Sequence, residues 1–157
     1  MSLANLQASM EAHFLAAADK TALAMEVEAV KLAPDGASSP GLKSQIHGQG
    51  IQEGMVFHAR LTCTSPHGPY IENGTGPEVG HAQYMPPPGA LRQYLQRKLG
   101  LSGEALDKAE AAVRWKIYMK GTRPQPFMKP AYDLIAPKWR DTLKAAARAA
   151  IKEAIRG

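Results

Sequence analysis

The sequence predicts an α+β fold in which one small antiparallel sheet is flanked by a long N-terminal helix and a helical C-terminal half. Three observations predict it: a run without Gly or Pro at residues 3–33, an alternating stretch at 53–64, and amphipathic patterns across 89–156. The chain has 157 residues, 45% of them hydrophobic, which is about the length and composition of one soluble domain. We therefore expect residues 1–157 to form a single domain.

The run at residues 3–33 predicts one long helix, because it is rich in Ala, Leu, Met, Glu and Lys and is followed by Pro34. A helix of this extent is ~45 Å long at ~1.5 Å per residue. That is longer than a domain of this size needs to cover its own core. We therefore expect part of the helix to contact another subunit, with four large apolar side chains as candidate contacts: Met10, Phe14, Met25 and Leu32.

The β signature lies within the region 42–85, where residues 53–64 alternate in the period of a half-buried strand. One side of this strand carries Met55, Phe57, Ala59, Leu61 and Cys63. A single strand is not stable alone, so its partner must come from residues 44–52, from the segment around Tyr70, or from another subunit. The Gly- and Pro-rich residues 66–88 are expected to be mostly irregular.

Helical patterns fill the region 89–156. The first helix spans 89–99 and is ended by Gly100, and the second begins after Ser102 as N-cap and is ended by Gly121. A final helical region runs from 127 to 156 and is bent or divided at Pro137. Its expected inner stripe consists of Trp139, Leu143, Ala147, Ile151 and Ala154.

Two stretches of the chain resemble each other. The first is Tyr-Ile-Glu-Asn-Gly-Thr-Gly-Pro at 70–77, and the second is Tyr-Met-Lys-Gly-Thr-Arg-Pro at 118–124. Each ends a hydrophobic element with Gly-Thr-X-Pro. In the simplest interpretation both are terminators: Gly supplies the left-handed backbone, the Thr hydroxyl caps the turn, and Pro fixes the exit direction.

The second stretch continues as Pro-Gln-Pro-Phe-Met-Lys-Pro-Ala at 124–131. Together with the segment at 69–75, this run resembles the tail-component family of lambdoid phages, whose members are described as head–tail joining or tail completion proteins. Ten positions carry the resemblance or are expected to have a structural role in these segments: Tyr70, Glu72, Gly74, Thr75, Gly121, Thr122, Pro124, Pro126, Phe127 and Pro130. We expect Phe127 to fill the core between the sheet and the helix of residues 103–120.

The resemblance implies a structural protein of the virion that assembles in the cytoplasm of the host bacterium. Its partners would be other neck or tail proteins and further copies of itself in a ring, because such junctions have cyclic symmetry. No specific nucleic acid, membrane, cofactor or metal is expected to bind.

Catalytic patterns are weak. The five histidines show no metal-ligand spacing, and neither Gly48-Gln49-Gly50 nor Gly74-Thr75-Gly76 has the strand–turn–helix context of a phosphate-binding loop. The lone Cys63 excludes an internal disulfide, and no apolar run approaches the ~18 residues of a membrane span. We therefore expect a soluble protein that is not an enzyme.

Two other hypotheses remain. The net charge is +5, and the C-terminal half is rich in Lys and Arg, so the chain could be a basic nucleic-acid-binding protein that uses its C-terminal helices. A regulatory or toxin-like small enzyme is the third hypothesis.

Overall fold

A computed structural model describes residues 3–34 and 41–156, except for the side chain of Leu3. It is a small α+β fold with a two-stranded antiparallel sheet, a long N-terminal helix and a helical C-terminal half. In chain order the helices and strands are α1 (Leu3–Leu32), β1 (Ile46–Glu53), β2 (Val56–Cys63), α2 (Gly68–Asn73), α3 (Arg92–Leu99), α4 (Gly103–Lys120), α5 (Met128–Ile135) and α6 (Trp139–Arg156).

These elements divide between two compact units. The first, here called the sheet unit, contains residues 3–32, 45–63 and 127–156, and thus α1, the β1–β2 hairpin, α5 and α6. The second, here called the loop unit, contains residues 33–34, 41–44 and 64–126, and thus α2, α3 and α4.

The hairpin of the sheet unit confirms the predicted strand and, of the three partners left open, selects residues 44–52. Ile46 pairs with Cys63 at one end and Glu53 with Val56 at the other, so only two residues connect the strands. Gly54, the first turn residue, has φ 62, and Met55, the second, has no positive φ, which is typical of a type II′ turn. The sequence pattern included Met55 in the strand, but it lies in the turn and is 73% exposed.

Small residues hold α1 against this hairpin. Ala18, Ala22 and Ala29 are fully buried along one face of α1. On β1, an added Cβ at Gly48 would overlap the Ala22 carbonyl, and one at Gly50 would lie 2.6 Å from the Asp19 nitrogen. The Gly-x-Gly sequence of β1 therefore serves a close approach between helix and strand.

Acidic side chains of α1 complete the contact. The N–H of Gly48 donates to the Glu26 carboxylate at 2.6 Å, and the N–H of Gly50 donates to the Asp19 carboxylate at 2.7 Å. Charge-assisted hydrogen bonds of this kind are among the stronger ones in proteins. Two backbone groups at the edge of the sheet are thus satisfied by helix side chains.

The C-terminal helices pack on α1 in the same unit. A 3-10 turn at Ala136–Lys138 separates α5 from α6, as expected from Pro137. The predicted inner stripe was wrong at Ile151, which is 48% exposed, whereas Ala146 and Ala150 are buried. Alanine allows two helices to approach closely, so the seam follows the small side chains and leaves the bulky isoleucine outside.

In the loop unit α3 packs against α4. Leu95 of α3 and Leu106 of α4 are 2% and 1% exposed. Gly100 ends α3 in the left-handed conformation, as predicted. The region 66–88 is mostly irregular, but it also contains the short helix α2, which the composition did not indicate.

A buried carboxylate organises the start of α3. Glu110 of α4 is 5% exposed, and its Oε1 accepts hydrogen bonds from the N–H groups of Gly89 and Leu91 at 2.7 and 3.3 Å. Arg92 lies 3.6 Å from the other carboxylate oxygen. The side chain thereby satisfies the N–H of Leu91, the N-cap residue of α3, and the N–H of Gly89 just before the helix.

Candidate functional site

The two Gly-Thr stretches meet in the loop unit. Thr75 and Thr122 form an isolated antiparallel bridge, in which each backbone N–H donates to the other residue's carbonyl oxygen at 3.0 Å. Their hydroxyl oxygens are 2.9 Å apart, so one threonine side chain donates to the other. Two segments that are similar in sequence therefore pair with each other. We call the hydrogen-bonded pair Thr75–Thr122 the threonine bridge.

Glycines make the threonine bridge possible. Gly74 and Gly121 have φ values of 72° and 77°, which L side chains rarely adopt. A Cβ on Gly121 would overlap the Thr75 carbonyl, and one on Gly74 would lie 2.5 Å from the Thr122 carbonyl oxygen. Each glycine thus ends its helix and also leaves room for the opposite strand of the bridge.

The flanking motif positions surround the bridge or extend it. The N–H of Gln125, between Pro124 and Pro126, donates to the Ile71 carbonyl at 2.8 Å, so the proline segment runs alongside α2. Tyr70 is 59% exposed and its ring stacks on Tyr84 with centroids 6.3 Å apart.

Glu72 is half-buried in α2, whereas Pro124 and Pro126 are exposed.

The last motif positions belong to the sheet unit. Phe127 is fully buried, which confirms that it lies in the core, although its unit does not include residues 103–120. Pro130 lies in the first turn of α5, where a missing N–H costs no intrahelical bond. The hydrogen bond from Lys129 to Asp133 in the same helix raises the pKa of the exposed Lys129 ammonium above its usual 10.5.

An apolar groove opens on the sheet unit between the first turns of α1, the hairpin turn and α6. Its volume is about 760 Å³. It is lined by Leu6, Gln7, Met10, Glu11, Phe14, Met55, Val56, Phe57, Leu143, Lys144 and Ala147. The rings of Phe14 and Phe57, which both line it, meet edge to face with centroids 5.5 Å apart.

The four candidate contact residues of α1 separate into two groups. Met10 and Phe14 are half-buried and line the groove, and Leu32 is 48% exposed. Met25 is only 2% exposed, because it lies on the alanine face that packs against the hairpin. Met25 is therefore a core residue in this structure, and the other three remain accessible.

Cationic side chains gather at the end of α6, where Arg148, Lys152 and Arg156 surround the exposed Ile151 and Ile155. Elsewhere on the helices, basic residues are often paired with acidic ones of the same helix, as in Lys108 with Glu104. Within residues 3–34 and 41–156, His, Cys, Asp and Glu form no group of three that could hold a metal ion.

No helix in the described part of the chain is both long and apolar enough to cross a membrane. Comparison of the chain with protein-family models, curated proteins and solved structures gave no match.

The sequence indicates the two Gly-Thr segments but does not predict their pairing, and it gives no indication of the roles of Asp19, Glu26 and Glu110. The Gly-Thr repetition was the available indication of pairing. For the carboxylates no local pattern exists, because each bonds to backbone between 19 and 31 residues away.

Proposed function

We propose that this chain is a structural assembly protein of a tailed bacteriophage or prophage, acting in head–tail joining or tail completion without catalysing a reaction. The observation that carries the proposal is the apolar groove formed by α1, the hairpin turn and α6. An exposed apolar concavity with a few polar side chains at its rim is typical of a surface that binds another protein. The specific assignment to a phage rests on the motif resemblance at 69–75 and 124–131.

The groove also gives the proposed ring a physical basis. A ring requires one surface of each copy to bind a different surface of the next. Met10 and Phe14 provide an apolar surface at one end of α1, and Leu23, Val27 and Leu32 are about half exposed towards the other end. Two separate apolar surfaces on one helix are compatible with such head-to-tail contacts.

Deleting the reading frame from its phage or prophage tests this function directly. We expect the lysate to contain DNA-filled heads and tails that are not joined, or tails of defective length, when particles are counted by electron microscopy. Infectious particles at the normal yield would overturn the proposal.

Complementation tests the groove itself. Met10→Glu places a charge in the groove and should fail to restore particles. Ala12→Glu is the matched control, because Ala12 is exposed on the same helix and does not line the groove. Both variants should show the helical circular dichroism of the parent protein. Equal rescue by the two would exclude the groove as the assembly surface.

The basic end of α6 favours one alternative, a nucleic-acid-binding protein. Arg148, Lys152 and Arg156 lie at intervals of four residues and are exposed together. For duplex DNA, the binding constant falls with salt, and a plot of its logarithm against the logarithm of the salt concentration is a line. Each phosphate contact would make the slope of that line more negative by about 0.9. A steep dependence that becomes shallower in Lys152→Ala would support this alternative, and weak binding independent of these side chains would exclude it.

A further inference from the structure

Among the described residues, one edge of the β1–β2 sheet is hydrogen-bonded to the protein's own helix, and the other edge, here called the open edge, has no backbone hydrogen bond beyond the hairpin. On β1, the N–H groups of Gly48 and Gly50 bond to carboxylates of α1 rather than to β2. Successive peptide groups of a strand point in opposite directions, so the intervening residues of β1 carry the hydrogen bonds to β2. The outer edge of β1 is thus occupied by the protein's own helix.

The outer edge of β2 is formed by the residues that face Gly48, Gly50 and Gln52 in the register, namely Leu61, Ala59 and Phe57. Their peptide groups point away from β1. Within the described parts of the chain, none of these three has a backbone hydrogen bond outside the hairpin.

Proteins commonly protect such edges with Pro, Lys, bulges or a covering segment. The eight residues of β2 contain neither Pro, Gly nor Lys.

The open edge borders the apolar groove. Phe57, Ala59 and Leu61 are half-buried on the inner face of the sheet, and Phe57 also lines the groove beside Met10 and Phe14. A strand added to β2 would direct every second side chain to that inner face. Main-chain bonds and alternating apolar contacts would therefore form together, which is the usual basis of strand addition.

We propose that the occupant of this edge is β2 of a second copy of the chain, paired antiparallel about a two-fold axis at Ala59. This register places Phe57 opposite the partner's Leu61 and Leu61 opposite the partner's Phe57, so both inner faces match in polarity. Ala59 meets the partner's Ala59 at the axis, where the facing Gly50 adds no side chain. The result is a four-stranded sheet, β1–β2 followed by the partner's β2–β1.

The outer face agrees with this pairing. His58 would lie opposite the partner's Arg60, a pair that carries positive charge. Glu53 of the same chain lies 3.7 Å from Arg60 and 3.8 Å from His58, so each copy brings its own neutralising carboxylate. Each Arg60 therefore enters the pairing with a carboxylate of its own chain beside it, which offsets the charge of the guanidinium. The proposal concerns the isolated protein and does not depend on a role in phage assembly.

Proline substitution at the edge tests the main-chain contact. Ala59→Pro removes an N–H that points to the open edge, whereas His58→Pro removes one that bonds to β1. We expect the parent protein to sediment as a dimer, Ala59→Pro as a monomer with unchanged helical circular dichroism, and His58→Pro to lose stability. A parent protein that is monomeric throughout a dilution series overturns the proposal, as does an Ala59→Pro protein that remains a dimer.

Cysteine cross-linking tests the register. In a Cys63→Ser background, Ala59→Cys should form an intermolecular disulfide under mild oxidation, because the two residues face each other across the axis. Thr62→Cys is the control, since in this register it lies opposite the partner's Val56. Cross-linking that is equal at both positions, or confined to Thr62→Cys, contradicts the two-fold axis at Ala59.

Discussion

Replacing Gly121 by alanine isolates the contribution of the threonine bridge. Gly121 has φ 77 and ψ −164, a conformation open almost only to glycine, and forcing another residue into it costs of order 1–3 kcal/mol. The added methyl group would also overlap the Thr75 carbonyl, which is a backbone atom and cannot rotate aside. The bridge would therefore have to open.

Opening the bridge removes the two N–H to carbonyl hydrogen bonds between Thr75 and Thr122, each worth a net ~0.5–1.5 kcal/mol. Together with the backbone strain, we expect Gly121→Ala to lower the free energy of unfolding by ~2–6 kcal/mol. Gly100→Ala is the matched control, because Gly100 also has a positive φ, 64, but an added Cβ meets nothing within 4 Å. Its expected cost is only the left-handed penalty of ~1–2 kcal/mol.

Urea unfolding followed by tryptophan fluorescence measures the difference. The chain has two tryptophans, and Trp115 lies in the loop unit with both glycines, whereas Trp139 lies in the sheet unit. A Trp139→Phe background therefore makes the fluorescence report on the loop unit alone. If Gly121→Ala and Gly100→Ala destabilise this unit equally, close approach at the bridge is not what requires glycine at position 121.

Three further predictions concern single side chains. Phe127→Ala should cost ~3–5 kcal/mol because the ring is fully buried, whereas the exposed Tyr132→Ala should change the melting temperature little. Glu110→Ala should lower the free energy of unfolding by ~1–3 kcal/mol, because it leaves two N–H groups without an acceptor. Glu104 is exposed, and Glu104→Ala, measured in the same denaturation series, should lower it by at most ~1 kcal/mol. Gly48→Ala should cost ~1–3 kcal/mol through overpacking against α1; an unchanged urea midpoint would contradict the close helix–strand contact.

Elements with strong local patterns could be predicted from the sequence. The predicted helix over 3–33 differs from α1 by one residue at its end, and the division at Pro137 was found where the missing N–H requires it. The alternation at 53–64 gave the strand and its inner face. In each case the decisive interactions lie within a few residues along the chain.

Features that depend on distant contacts could not be predicted. Ile151 fits an amphipathic stripe, but the seam between α1 and α6 selects Ala146 and Ala150 because small side chains permit closer packing. The glycines of β1 form no sequence pattern that would predict their contact with the alanine face of α1. Likewise, the similarity of the two Gly-Thr stretches indicated common chemistry, but not that one would bind the other.

The threonine bridge has a topological consequence for the loop unit. Because Thr75 and Thr122 are hydrogen-bonded to each other, residues 76–121 form an insertion whose two ends lie together. This insertion includes α3 and α4. The entropic cost of bringing the ends of a loop together grows only slowly with its length. Such an insertion can therefore be lengthened, shortened or exchanged at small thermodynamic cost if the two Gly-Thr ends still pair. Sequence changes can therefore accumulate between these two ends during evolution while the backbone path of the flanking segments stays the same.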